Sequence, residues 1–223
     1  MEPLHGWTFA EREHPLSEHS SGSGLAEAIL HATASLIEDH GVEAVTMRAV
    51  AARAGYSPTA IYLCFKNKED LLEQTLIHAH SALVLALFPQ DPPDDVALRL
   101  RSVAVTLVRW GTANPNLYRL LFEHGDSSLG SDDIADAMQE VWVRKRDLLA
   151  QAIDRGLITR CTDPDAVGQI AWAALHGIVW LAASERLIPP EHRRSERDVE
   201  ERAAMLADTF VSLVLDAPGA PPA

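Results

Sequence analysis

The sequence predicts an all-α fold, and three observations carry that prediction. Apolar residues recur at helical spacing through most of the chain, turn signals are sparse, and no stretch shows the two-residue alternation of a half-buried strand. From Gly24 to His40, Leu25, Ile29, Ala32 and Leu36 mark one face of a first helix, and Gly41 stands where a left-handed stop belongs. Thr46 is a suitable N-cap for a short second helix with Met47, Val50, Ala51 and Ala54 on one face, which Gly55 ends. Ser57 caps a third helix with Pro58 at its first position, where a missing N–H costs nothing, and with Ile61 and Phe65 turned inward. Asn67 caps a fourth, running from Lys68 to about Leu87, with Glu69 and Asp70 in the turn where the helix dipole favours acids.

Pro89, Pro92 and Pro93 then stop the helix in "FPQDPPDD", the clearest boundary in the chain. Beyond it the pattern predicts helices near Val96–Ala113, Pro115–Glu123, Asp132–Arg155, Asp165–Arg186 and Glu196–Leu215. "GDSSLGSDD" and "IPPEHRRS" read as loops between them. The expected organisation is a polar tail over 1–23, with Ser20–Gly24 as linker, a small head over 24–72, a body over 73–216 and a second tail over 217–223.

With 223 residues, 47% hydrophobic and 23% charged, the chain has the size and composition of an ordinary globular protein. No uninterrupted apolar run approaches the ~20 residues that cross a bilayer, and the first residues lack the basic start and apolar block of a secretory signal. Cys64 and Cys161 stand far apart with no motif spacing. The expectation is a cytoplasmic protein without disulfides, cofactor, metal or membrane partner.

One segment breaks the acidic pattern. The formal net charge is −13, yet "MRAVAARAGYSPTAIYLCFKNK", Met47 to Lys68, holds Arg48, Arg53, Lys66 and Lys68 and no acid, so subtracting its four positive charges leaves −17 on the rest. The same segment contains the two short helices joined by "AGYS", a helix-turn-helix. Gly55 permits positive φ in the turn, and together with the small Ala51 it would let the helices cross closely. The second helix begins with small polar groups that fit a major groove about 12 Å wide. Cations beside it would meet phosphates, which set register while base edges set sequence. Positive charge kept to one face is therefore what a local DNA-reading surface needs. Taken singly, the same Ser and Thr would serve as plain caps, and the same cations as a solvated face.

The run "ILHATASLIEDHGVEAVTMRAVAARAGYSPTAIYLCFKNKEDLL" resembles the DNA-binding head of the TetR family of transcriptional regulators in Gly41, Thr46, Ala51, Ala54–Gly55, Ser57, Tyr62, Phe65, Lys68 and Leu71–Leu72. The resemblance implies a helical homodimer with a ligand-sensing body, most members being repressors released from an operator by a small molecule. It implies that Thr46 and Arg48 reach DNA from the supporting helix. Ser57, Pro58, Thr59 and Tyr62 would lie on the recognition helix, and Lys68 would bind phosphate. Cys64 stands where relatives often have His, and the segment before Leu25 lacks the basic residues of many relatives.

In the second half, "NPNLYRLLFEHG" and "AWAALHGIVWL" resemble the body of a subgroup named for a Trp–His–Gly signature, although here Leu175 precedes His176 and the nearest earlier Trp is Trp172. Trp110, Tyr118, Phe122, Trp142, Trp172 and His176 are the candidate lining of an effector pocket, with Trp180 in the same aromatic cluster and His124 and Arg119 as further polar groups. Aromatics at this spacing equally build cores, and His176–Gly177 equally marks a close helix approach. The last two helices are apolar on more than one face, Ile170, Ala171, Ala174, Ile178 and Leu181 on one and Met205, Leu206, Phe210, Leu213 and Val214 on the other, which marks an interface between two copies.

An enzyme is the first rival, but there is no Gly-x-Ser-x-Gly elbow, phosphate-cradling Gly loop or paired Glu-x-x-His helices, and His78 and His80 diverge by spacing. A helical protein-interaction module is the second.

Overall fold

The computed structural model describes residues 21–123, 132–189 and 195–215. Among them all regular structure is helical: α1 Ser21–His40, α2 Met47–Ala54, α3 Pro58–Cys64, α4 Lys68–Leu87, α5 Val96–Ala113, α6 Pro115–Glu123, α7 Asp132–Asp154, α8 Pro164–Ala183 and α9 Glu196–Val214, with a 3-10 turn at Val42–Ala44. His124 and most of the two expected loops and tails lie outside the described residues.

The helix starts are set by local chemistry. Thr46, Ser57, Asn67 and Asp95 each accept a hydrogen bond from the backbone N–H three residues on. Ser195 and Asp198 close a reciprocal capping box at the start of α9. Two ends differ from expectation by more than one residue. α1 begins at Ser21, inside the expected linker, because first-turn N–H groups lack intrahelical partners anyway and Leu25 and Ala26 pack on the core just beyond. α8 stops at Ala183, because Glu185 turns left-handed (φ 58°) and Arg186 N–H is donated to the Leu181 carbonyl at 2.8 Å.

Helices α1 to α3 and the start of α4 form the head, around Ile29, Ile37, Val45, Val50, Ile61 and Leu71, all 1% exposed or less. In the body α5 is central and packs against α4, α6, α7, α8 and α9. Its close neighbour is possible because of Gly111, where a Cβ would lie 2.7 Å from Val179 Cγ1 and 2.8 Å from the Tyr118 ring. One apolar cluster continues from Ile29 in the head to Val211 in α9. The division at 72/73 thus falls within α4, which serves both parts. By length and composition α8 is the one helix among the described residues long and apolar enough to span a membrane. In the fold it packs against α5, α7 and α9.

Candidate nucleic-acid interface and effector cavity

α2 and α3 meet at Gly55, whose φ of 75° and ψ of 23° put it in the left-handed region. Tyr56 N–H is donated to the Ala51 carbonyl at 3.0 Å, closing the turn. A Cβ at Gly55 would meet nothing within 4 Å, so the glycine is there for its backbone angle and not, as expected, for close packing. Ile61 and Phe65 anchor α3, at 0% and 5% exposure. The opposite face carries Pro58, Thr59, Tyr62 and Leu63 into solvent, with Tyr62 58% and Leu63 78% exposed. Leu63 and the exposed Tyr56 were missed in the sequence; the signal for Leu63 was its place one step from Tyr62 on a helix whose buried face was already known. Cys64 is half-buried and packs on the core.

Thr46 Oγ1 accepts from Ala49 N–H at 3.1 Å, and Ser57 Oγ from Ala60 N–H at 3.2 Å. A hydroxyl that accepts at a cap keeps its own O–H to donate, so capping and phosphate contact are compatible. The basic segment is less uniform than its composition suggests. Arg53 turns back onto α1, with Nη1 2.6 Å from Ser35 Oγ and 2.7 Å from Asp39 Oδ2, and is spent inside the head. Arg48, Lys66 and Lys68 have no ion-pair partner among the described residues. Lys66 contributes its backbone N–H to Asp70 Oδ2 at 2.7 Å, fixing the chain between α3 and α4.

In the body, a cavity lies among α4, α5, α7, α8 and α9 and encloses about 720 Å³ of empty space, counting the part open to solvent. Its lining is apolar apart from Lys145. Of the six aromatic and histidine candidates, Trp172 lines it. Trp142 lies under Lys145, whose Nζ is 3.3 Å from the ring centroid and 5.3 Å from that of Trp172. The other four form an adjoining cluster. The Tyr118 ring stands 4.6 Å from Phe122 and 6.2 Å from Trp110, and Trp172 and His176 are 3.8 Å apart. Tyr118 Oη is 2.7 Å from His176 Nδ1. Burial holds the Tyr118 hydroxyl protonated, and it can donate to Nδ1 or accept from it according to the imidazole tautomer. Burial, then the Lys145 charge, pulls His176 down to about 4, so the ring is neutral near pH 7. Arg119 is exposed. A Cβ on Gly177 would meet nothing within 4 Å, so the glycine makes no close helix approach within the chain.

Head and body are joined by a contact that no local sequence signal announces. The Glu38 carboxylate, at the end of α1, accepts from Leu117 N–H at 2.6 Å and Asn116 N–H at 3.2 Å, while Asn116 Nδ2 donates to the Glu38 carbonyl at 2.9 Å. A carboxylate thus caps α6, where the dipole favours it. Desolvation outweighs these two hydrogen bonds and raises the Glu38 pKa. Elsewhere between α1 and α4, Glu27, His31 and His78 bring possible metal-binding atoms within 4.8 Å of one another. Exposed acids commonly gather in this way without an ion. His80 diverges from His78, being 3% exposed and within reach of the Glu140 charge.

The sequence profile of the family described as "Bacterial regulatory proteins, tetR family" matches residues 29–75, and that described as "Tetracyclin repressor-like, C-terminal domain" matches 100–210. An uncharacterised HTH-type transcriptional regulator of Mycobacterium bovis is 36% identical over 90 residues, 40% of this chain and 47% of its own. The nucleoid occlusion factor SlmA of Escherichia coli is 31% identical over 101 residues, 44% of this chain and 50% of its own. The chain spans about half the length of the curated relatives it matches. A Rhodococcus sp. structure described as a TetR-family transcriptional regulator superposes with a TM-score of 0.69 at 21% identity, over 87% of this chain and 100% of that one. A TetR-family regulator from Marinobacter aquaeolei VT8 does so with 0.62 at 22%, over 87% and 97%. At these identities the likeness is one of fold.

Proposed function

Because the chain belongs to the tetR family of bacterial regulatory proteins, both of whose domain profiles it carries, we propose that it is a sequence-specific DNA-binding transcriptional regulator. In this reading it is a homodimeric, non-enzymatic repressor, acting in the cytoplasm and released from a near-palindromic operator by a small molecule. One observation carries the reading. A short helix, anchored by Ile61 and Phe65, presents Thr59, Tyr62 and Leu63 outward beside three cations that make no ion pair among the described residues.

Head residues 24–72 dock α3 in the major groove. Thr59 and Leu63 meet base edges, the leucine as an apolar neighbour for a thymine methyl. Thr46, Arg48, Ser57, Tyr62 and Lys68 hold phosphates, and Pro58 lets the helix start tightly against the backbone. The body, 73–216, pairs with its copy through α8 and α9, which expose Ile170 at 63%, Trp180 at 51%, Met205 at 46% and Leu213 at 69%. The effector occupies the cavity against Trp172 and Trp142, and Trp110, Tyr118, Phe122 and His176 form the wall that registers it. Its arrival shifts α4 and the Glu38–α6 contact. A ~100-fold loss of operator affinity requires about 2.7 kcal/mol of coupling between the two sites.

Selection of bound duplexes from random DNA with the full-length protein tests the reading. The expected result is an inverted repeat whose half-site centres stand one turn apart, roughly 34 Å. No enrichment over the input pool would refute it and leave a helical interaction module as the better description.

A further inference from the structure

Lys145 is the one charged group lining an otherwise apolar cavity. Its ammonium stands over Trp142 and near Trp172, and its hydrogen bond to a protein acceptor, the Gly168 carbonyl, is long at 3.5 Å. No carboxylate among the described residues lies within 4 Å of it; the nearby Asp165 is engaged by Arg146 Nε at 3.1 Å and 3.2 Å. The two tryptophans fix the ammonium in place without neutralising it. A half-buried cation so held, with apolar walls beyond it, is a receptor for a counter-charge that the described residues do not place against it.

We infer that the cavity takes an amphipathic monocarboxylate, its acid group on Lys145 and its apolar tail among Val103, Leu107, Leu148, Val167 and Leu175. A single charge follows from the single cation: a dianionic phosphate or a polyanionic carrier would bring uncompensated charge into the apolar site. A neutral ligand would leave the ammonium with only ring faces and a distant carbonyl. Burial brings Lys145 down to about 8, so the group is still largely protonated near neutral pH, and an anion beside it would restore its basicity.

This inference rests on the effector reading above for the site's purpose but not for its chemistry, and calorimetry on the full-length protein without DNA separates the two. Decanoate, decan-1-ol and decylamine are titrated in turn. Decanoate is expected to bind about tenfold or more tightly than either of the others, and Lys145→Met to reduce its affinity by about tenfold. Equal affinity for acid and alcohol, no binding of decanoate, or decanoate affinity unchanged in Lys145→Met would each overturn the inference. The comparison of three probes uses the unaltered protein, so it decides the matter even where the variant folds poorly. Decanoate that binds as expected yet leaves the selected operator bound would remove the switch and keep the ligand class. Release of operator by the alcohol alone would do the reverse.

Discussion

Arg53 and Lys68 carry the same charge a short distance apart in the chain, yet their surroundings assign them different work. Arg53 is tied to Asp39 and Ser35, while Lys68 has no ion-pair partner among the described residues. Lys68→Ala is therefore expected to reduce the slope of log affinity against log salt by about one unit per chain. Arg53→Gln should leave that slope unchanged and cost at most about 1 kcal/mol of stability, as exposed pairs do. Operator titrations at several salt concentrations compare them; equal slope losses would mean that both face DNA. In the body, His176 supplies a pH test. Its proton is taken up near pH 6.5 in the unfolded chain and only near 4 in the folded one. Stability is thus fully present above pH 6.5 and falls as the pH drops between these values, by on the order of 2–3 kcal/mol. His78 and His80 shift in the same direction, so the test is a difference. Urea unfolding at pH 7 and pH 4.5 should show a smaller acid loss for His176→Gln than for the unaltered protein, and equal losses would contradict a neutral buried ring.

Helix starts were readable in the sequence because a cap is a local event: Thr46, Ser57, Asn67 and Asp95 each reach only three residues ahead. The inward face of α3 was readable for the same reason. What escaped reading depends on helices far apart in the chain. Nothing near Arg53 announces Asp39, nothing near Lys145 announces a cavity, and Glu38 meets α6 across 78 residues. Aromatic content marked the part of the body where the rings gather but not which of them line the cavity and which face one another. The Glu38 contact ties the last turn of α1 to the first of α6, so movement of α6 is felt by the head. Glu38→Ala should cost about 1 kcal/mol, the usual worth of a lost cap, and weaken the effect of effector on operator binding. An unaltered effector response in operator titrations would show that the signal travels by α4 alone.

Dimerisation belongs to the molecule as a whole. The faces of α8 and α9 carry Ile170, Trp180, Met205 and Leu213 in solvent, and none of the described residues covers them. A second copy would bury them and bring two α3 helices to one side of a duplex. Leu213→Asp is expected to shift sedimentation equilibrium toward monomer and to abolish tight operator binding with it, because one head alone lacks the second half-site; a persistent dimer would place the interface elsewhere. In the proposed reading, the acidic remainder of the chain, set against a small basic surface, would confine DNA to that surface. The most direct test is competition at low ionic strength, measuring the affinity of the full-length protein for its selected duplex against a scrambled one of equal length. A preference of about 10³ or more, reduced in Thr59→Ala while Tyr62→Ala weakens binding to both duplexes, is the predicted result. Equal affinity for the two duplexes would contradict the claim that α3 reads sequence.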